Sequence, residues 1–451
     1  MTTADLTSPG EVTAEGRAEN RWVVTHAHVR AVLAAGLGAV LCVLLQRPDL
    51  LVLVTPLAVV AVWSVVTRPH GRPTARARLA RGVVTEGDRQ AVVVRVSTTE
   101  GTELVSTSLA PAPWITRRPR HGAQARLLDT DDVARGEIRI PTGADPQRWG
   151  RHQVGPLLVG ACTPWAAFRW GPVPLPERLV RVLPTPAAFE LTAPAPHPRG
   201  LVGQHRSLRP GEGTEFASVR PFQWGDRLKR IHWARSLRSR ELHVTTSYAD
   251  QDTHLALLVD AHIDVGRSEG LTGAASSLDR SVRAAAALAE HFVRQGDRVS
   301  LQVASGTTPL RLRPGTGMRQ GRRVRDVLSR VSAGARPADL PRRFRLGLGD
   351  GALVVMVSAL VSPAALAQVA ALARGGLTVV VVDVLGEGFA LPADWDPLDQ
   401  LAWRIRMLER EREVRRIQQM GVPVVPWAGP GSLDLVLRGL VRRGRTAVGR
   451  T

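Results

Sequence analysis

The sequence predicts a multidomain α+β chain: an N-terminal transmembrane helical hairpin, a β-sandwich-like middle domain, and a C-terminal α/β domain on a doubly wound parallel sheet. Three observations predict it. Two uncharged apolar runs lie close together near the start, short alternating runs fill residues 75–190, and strand-length apolar runs alternate with amphipathic helical ones over 250–445. At 451 residues the chain exceeds one ordinary domain, and 44% hydrophobic content supports a sizeable core.

Residues 1–28, rich in Thr, Ala, Glu and Gly, read as a disordered cytoplasmic tail. Residues 29–67 read as the hairpin: Ala31–Leu45 and Leu50–Val66 carry no charge and are separated by Gln46-Arg47-Pro48-Asp49. A spanning helix needs about 20 apolar residues and at least roughly 17. The second run meets that limit, and the first recruits Val29 with Arg30 snorkelling. A cleaved signal peptide fits less well, because the second run follows at once; a buried hairpin of a soluble protein stays open. Arg17, Arg21 and Arg30 precede the pair and Arg68, Arg72, Arg76, Arg78 and Arg81 follow it, against Arg47 in the turn. The positive-inside rule then puts both ends in the cytoplasm of a two-helix protein of the cell membrane.

In the middle domain, Ala91–Val96, Glu103–Leu109, Glu137–Ile140 and Leu157–Gly160 read as strands between turn residues, as in a small immunoglobulin-like sandwich. Pro172, Pro174, Pro176, Pro184, Pro186, Pro194, Pro196 and Pro198 read as a stiff connector. Cys42 and Cys162 stand alone, which excludes a disulfide framework and suits a reducing cytoplasm. The net charge of +20 favours anionic lipid, nucleic acid or acidic proteins without choosing among them. Lys229 is the only lysine, so the charge is arginine, in a composition that resembles GC-rich codon bias.

Residues 199–245 are the densest unusual stretch. Gly211 and Gly213 predict a sharp turn before an extended segment through Thr214, Glu215 and Phe216. The pairs Phe222/Trp224 and Ile231/Trp233, two residues apart, predict aromatic faces of strands, with Gly225-Asp226 as the turn between them. Arg220, Arg227, Lys229, Arg230, Arg235, Arg238 and Arg240 crowd around Glu215, Asp226 and Glu241. The plainest reading is a structural ion-pair network beneath an aromatic cluster. The order Gly-x-Gly-x-Glu-Phe, Val-Arg-x-Phe-x-x-Gly-Asp, Arg-Ile-His-Trp and Leu-x-Val resembles the signature of the bacterial domain-of-unknown-function 58 family. Gly211, Gly213, Glu215, Phe216, Arg220, Gly225, Asp226, Ile231 and Trp233 carry the match. The resemblance implies a membrane hairpin before the signature, a von Willebrand A-like domain after it, a MoxR-type AAA ATPase as partner and no established catalysis. It also implies an Asp-Pro-Phe-Gly-like turn after Gly150-Arg151-His152, where this chain has Cys162-Thr163-Pro164-Trp165, so that aspartate's role does not transfer.

In the α/β domain, His254–Asp260, Val299–Ala304, Ala352–Ser358, Leu377–Val384 and Val422–Val425 read as strands. Ser276–Gln295, opened by a Ser276/Asp279 capping box, Met318–Val331, the stretch from Ser362-Pro363 to Gly375-Gly376, Asp399–Met420 and Leu433–Val441 read as helices. Von Willebrand A domains often hold a cation through Asp-x-Ser-x-Ser. The matching run here, Asp260-Ala261-His262-Ile263-Asp264, lacks both serines, so the resemblance implies a degenerate metal site, with Asp260 bonding the loop instead. No cofactor is expected.

Three functions follow. The first is a non-catalytic membrane-anchored scaffold or adaptor that binds protein partners in assembly or envelope-related processes, with Arg230 and Arg235 beside the signature residues as partner-binding or structural groups. The second is a hydrolase using Glu215, Asp226 and His232. The third is a basic surface for anionic lipid or nucleic acid, the latter disfavoured because Phe222, Trp224 and Trp233 fit a core at least as well.

Overall fold

The computed structural model describes residues 12–13, 21–190, 210–248, 254–304, 310–334, 352–386, 395–434 and 437 of a mixed α/β chain. It divides into two compact units, Met1–Leu183 and Pro184–Thr451.

The first unit carries two N-terminal helices, His26–Leu44 and Leu51–Val66, which with the short Pro48–Leu50 turn are long and apolar enough to cross a membrane. Ala35 and Cys42 of the first and Val54, Ala61 and Ser64 of the second are buried, whereas Leu33, Val43, Val52, Leu53 and Val66 are exposed. A seam of small residues with an apolar outer surface is the packing that membrane helices favour. Gly38 lies in that seam, where an added Cβ would come within 2.4 Å of Val54.

The expected tail over 1–28 does not extend to its stated end. Trp22–Val24 pairs antiparallel with Phe168–Trp170, and Trp22 Nε1 donates to the Gly71 carbonyl at 2.9 Å. Thr25 then caps the first helix by accepting from the His28 amide.

The rest of this unit is β-rich, with two five-stranded sheets and one three-stranded sheet. Ala91–Ser97 alternates buried and half-buried residues along its length, as period-two patterning requires. Val94, Val96, Val105, Val159, Trp170, Val173 and Val182 join all three sheets in one apolar core. Pro172 and Pro174, expected in a connector, lie inside the strand Phe168–Leu175, and Arg178–Leu183 is a further strand. Proline is tolerated there because the Trp22–Val24 strand covers only Phe168–Trp170, leaving the proline stretch open on that edge.

The second unit is built on a six-stranded sheet. In chain order its strands are β1 (His254–Asp260), β2 (Arg298–Ala304), β3 (Leu310–Gly315), β4 (Ala352–Ser358), β5 (Thr378–Asp383) and β6 (Val424–Pro426). Their spatial order is β3-β2-β1-β4-β5-β6. All neighbours are parallel except β3, an antiparallel edge strand not among those expected. β4 is buried at every residue, as a strand covered on both faces must be. The helices Ser277–Arg294, Gly317–Leu328, Pro363–Arg374 and Pro397–Gln419 supply the cover. The Ser276/Asp279 capping box is present in both directions. Of the expected helix Leu433–Val441, residues 435–436 and 438–441 lie outside the described residues.

Candidate functional site

The signature segment folds as a two-stranded antiparallel hairpin, Pro210–Pro221 with His243–Tyr248, carrying an excursion over 222–242. Gly211 and Gly213 lie within the first strand, whose register is irregular between Gly211 and Phe216, in place of the expected sharp turn. The side chain of Glu215 lies outside the described residues, and the exposed Phe216 ring is part of no core.

Arg220, one residue before the end of this strand and paired with Val244, grips Asp226 with both arms of its fork: Nη2 to Oδ1 at 2.7 Å and Nη1 to Oδ2 at 2.8 Å. Asp226 also accepts from the Gln223 amide at 2.9 Å, and its own amide returns a bond to the Gln223 carbonyl at 3.0 Å. Gly225, at φ 105°, makes this turn in a region that favours glycine. The hydrogen bond from Arg220, then that from Gln223, holds the Asp226 carboxyl below the usual carboxylate range, and the same pairing raises Arg220.

Beyond the turn the aromatic pairs do not lie on strands. Leu228–Arg230 is a turn of 3-10 helix, Ile231 forms one bridge to Val244, and Trp233–Ser239 is a short helix. Spacing by two arises here from a turn and a helix start. His232 caps that helix, its Nδ1 accepting from the Arg235 amide at 3.1 Å. Ser236 accepts from the His243 amide at 2.9 Å and donates to the His232 carbonyl at 3.0 Å, tying the helix to the second strand. Nothing in the sequence pattern marked that serine.

The expected aromatic cluster is absent: Trp224 is fully exposed at 101%, and Trp233, Leu228 and Leu237 of the same excursion are exposed too. Lys229, Arg235, Arg238 and Arg240 are exposed on the same excursion, and Arg230 is half-buried. The ion-pair half of the plain reading holds at Arg220 and Asp226. In place of the aromatic cluster, the excursion carries exposed apolar and basic side chains. Asp226 and His232, two of the three residues weighed for hydrolysis, are engaged in turn and cap bonds.

The second candidate site is the carboxyl edge of the sheet, where α/β folds bind ligands. Asp260 ends β1 and is buried. Its Oδ1 accepts from the His262 amide at 3.1 Å and lies 2.6 Å from His262 Nδ1, while Oδ2 accepts from the Ser358 hydroxyl at 2.6 Å. Asp264 turns away to the start of the helix Ser277–Arg294, accepting from the Ser277 hydroxyl at 3.1 Å and the Leu278 amide at 2.9 Å. Burial raises its carboxyl above the ordinary value. Asp383, ending β5, accepts from the Leu385 amide at 3.0 Å and forms an ion pair with Arg410 at 2.5 Å. The carboxylates Asp260, Asp264 and Asp383 therefore serve loops and a helix terminus. Among the described residues no three His, Cys, Asp or Glu side chains converge as a cation centre would.

Two uncharacterized proteins, from Mycobacterium tuberculosis (strain ATCC 25618 / H37Rv) and Mycobacterium bovis, are each 30% identical to the chain over 214 residues, 47% of this chain and 58% of the relative. The chain thus spans a little over half the length of these relatives. The family described as "Protein of unknown function DUF58" matches residues 218–397, from Arg220 and Asp226 through the first five sheet strands to the start of the long helix, with Gly211, Gly213, Glu215 and Phe216 outside the match.

Proposed function

We propose that the chain is a non-catalytic, membrane-anchored scaffold whose cytoplasmic α/β domain docks protein partners through the signature excursion, a MoxR-type AAA ATPase among them by family resemblance. The observation that carries it is the Arg220–Asp226 fork, which fixes the turn of an excursion on which Trp224, Leu228, Trp233 and Leu237 are all exposed, together with Lys229, Arg235, Arg238 and Arg240. Large amphipathic aromatics beside arginine are the chemistry of protein interfaces, where a few such anchors supply most of the binding energy.

The anchor reading is supported by the two apolar helices and by the strands on either side of them. Trp22–Val24 before the pair and Ala75–Leu79 after it belong to sheets of one unit, which suits a hairpin that returns to the side it left. The arginines flanking the pair favour the cytoplasm for that side. The von Willebrand A-like reading is supported by the spatial order β3-β2-β1-β4-β5-β6 with β3 antiparallel.

Co-purification from detergent tests the proposal. The wild-type chain should carry a MoxR-type ATPase, and Arg220→Ala and Asp226→Ala should lose it while remaining folded. Retention of no protein partner by the wild type counts against the scaffold.

A further inference from the structure

We infer that the long helix Pro397–Gln419 pairs with the same helix of a second copy, as a parallel two-stranded seam in register. Leu398, Leu401, Ile405 and Leu408 recur at intervals of three, four and three, the a and d positions of two heptads. Buried amphipathic helices point such a stripe at their own domain. This one does the reverse, with the four side chains 71%, 54%, 52% and 61% exposed.

The opposite line of the helix is the one that faces the sheet. Ile417 is buried, Arg410 donates to the Ala359 carbonyl at 2.9 Å and pairs with Asp383, and Trp403 is half-buried. These three occupy the position diametrically across from the a/d stripe. Arg406, alongside them, donates to the Val361 carbonyl at 2.9 Å. The helix is thus fixed to its own domain by one edge and presents the apolar edge directly away from it.

Charge selects the occupant. In a parallel pair, each g residue meets the e residue of the following heptad on the other helix. Here Arg404 would meet Glu409 of the second copy, and Glu411 would meet Arg416, so the pairs are opposite in sign. An antiparallel register that keeps the four apolar layers pairs g with g and e with e, so it would set Arg404 against Arg404 and Glu411 against Pro397 of the second copy, a like-charge pair and an uncomplemented one. Ile405 at an a position and Leu408 at a d position are the combination that favours two strands. Arg412 and Arg415 take the next a and d positions, so the apolar seam ends after two heptads and is weak in dilute solution.

Cysteine trapping in the full chain tests this, with Cys42→Ser and Cys162→Ser as background and copper phenanthroline as oxidant. Ile405→Cys and Leu408→Cys should each give at least about fivefold more disulfide dimer than Asp399→Cys or Gln400→Cys, which lie off the seam. Adding Arg404→Glu should cut trapping at 405 by about threefold, and combining it with Glu409→Arg should restore it. Equal trapping at all four positions overturns the proposal. So does trapping between Leu401→Cys and Ile405→Cys chains that exceeds either chain with itself, and so does failure of the charge swap to restore dimer.

Discussion

Ser358 donates its hydroxyl to the Asp260 carboxylate at 2.6 Å, joining the ends of β4 and β1 across 98 residues of chain. The same hydroxyl oxygen accepts from the Leu360 amide at 2.8 Å. Both residues are buried, so removing the hydroxyl strands a carboxylate oxygen and a backbone amide together. Ser358→Ala should lower the stability of the α/β unit by about 1–3 kcal/mol, read from the midpoint of urea unfolding. An unchanged midpoint would mean that water replaces the bond freely.

Ser276 opens the helix Ser277–Arg294 with its side chain on the Asp279 amide at 3.2 Å. Ser276→Ala should cost about 1 kcal/mol in the same measurement, and Ser276→Thr should cost less. This cap was readable from the sequence, because Ser-x-x-Asp before an apolar-periodic run has one common physical use. The strands His254–Asp260 and Ala352–Ser358 were readable to the residue for a related reason, since fully buried strands leave an unbroken apolar run. What stayed hidden was long-range. The antiparallel Leu310–Gly315 alternates arginine with leucine and proline and takes its strand form only from pairing with β2. Phe168–Leu175 carries prolines that a local reading assigns to a connector, and only the short length of its neighbour makes them tolerable. Trp224 and Trp233 share strand spacing with residues two before them, yet a glycine turn and a helix cap intervene. That the arginines and acids of residues 199–245 would form ion pairs was legible from their crowding, but which arginine takes Asp226 was not, because the Gln223–Asp226 turn that brings Arg220 to it is a tertiary feature.

His254 packs its ring against Ser300, with Nε2 and Oγ 2.8 Å apart, and burial pulls it below its ordinary 6.5, helped by Arg298. A base whose folded value is depressed contributes stability above about pH 6.5, and that stability is lost as pH falls, because the unfolded chain takes up the proton first. The wild type should therefore be less stable at pH 5 than at pH 7. His254→Asn should narrow that difference, as measured by urea unfolding at the two pH values; an equal difference in both proteins would remove His254 from the effect.

Gly38 sets the approach of the two apolar helices, since any side chain there meets Val54. Gly38→Leu should destabilise the helix pair by about 1–3 kcal/mol, seen as earlier thermal aggregation in detergent. Gly36→Leu, at a position open to within 4 Å, should leave it unchanged.

The most direct test of the scaffold is equilibrium binding of a purified MoxR-type ATPase to the full chain reconstituted in lipid nanodiscs, comparing wild type with Arg220→Ala and Trp224→Ala. The account predicts measurable binding by the wild type and at least about a tenfold loss of affinity in each variant, the range expected when an interface anchor or its brace is removed. Wild-type binding that both variants retain in full, or its absence altogether, would contradict it.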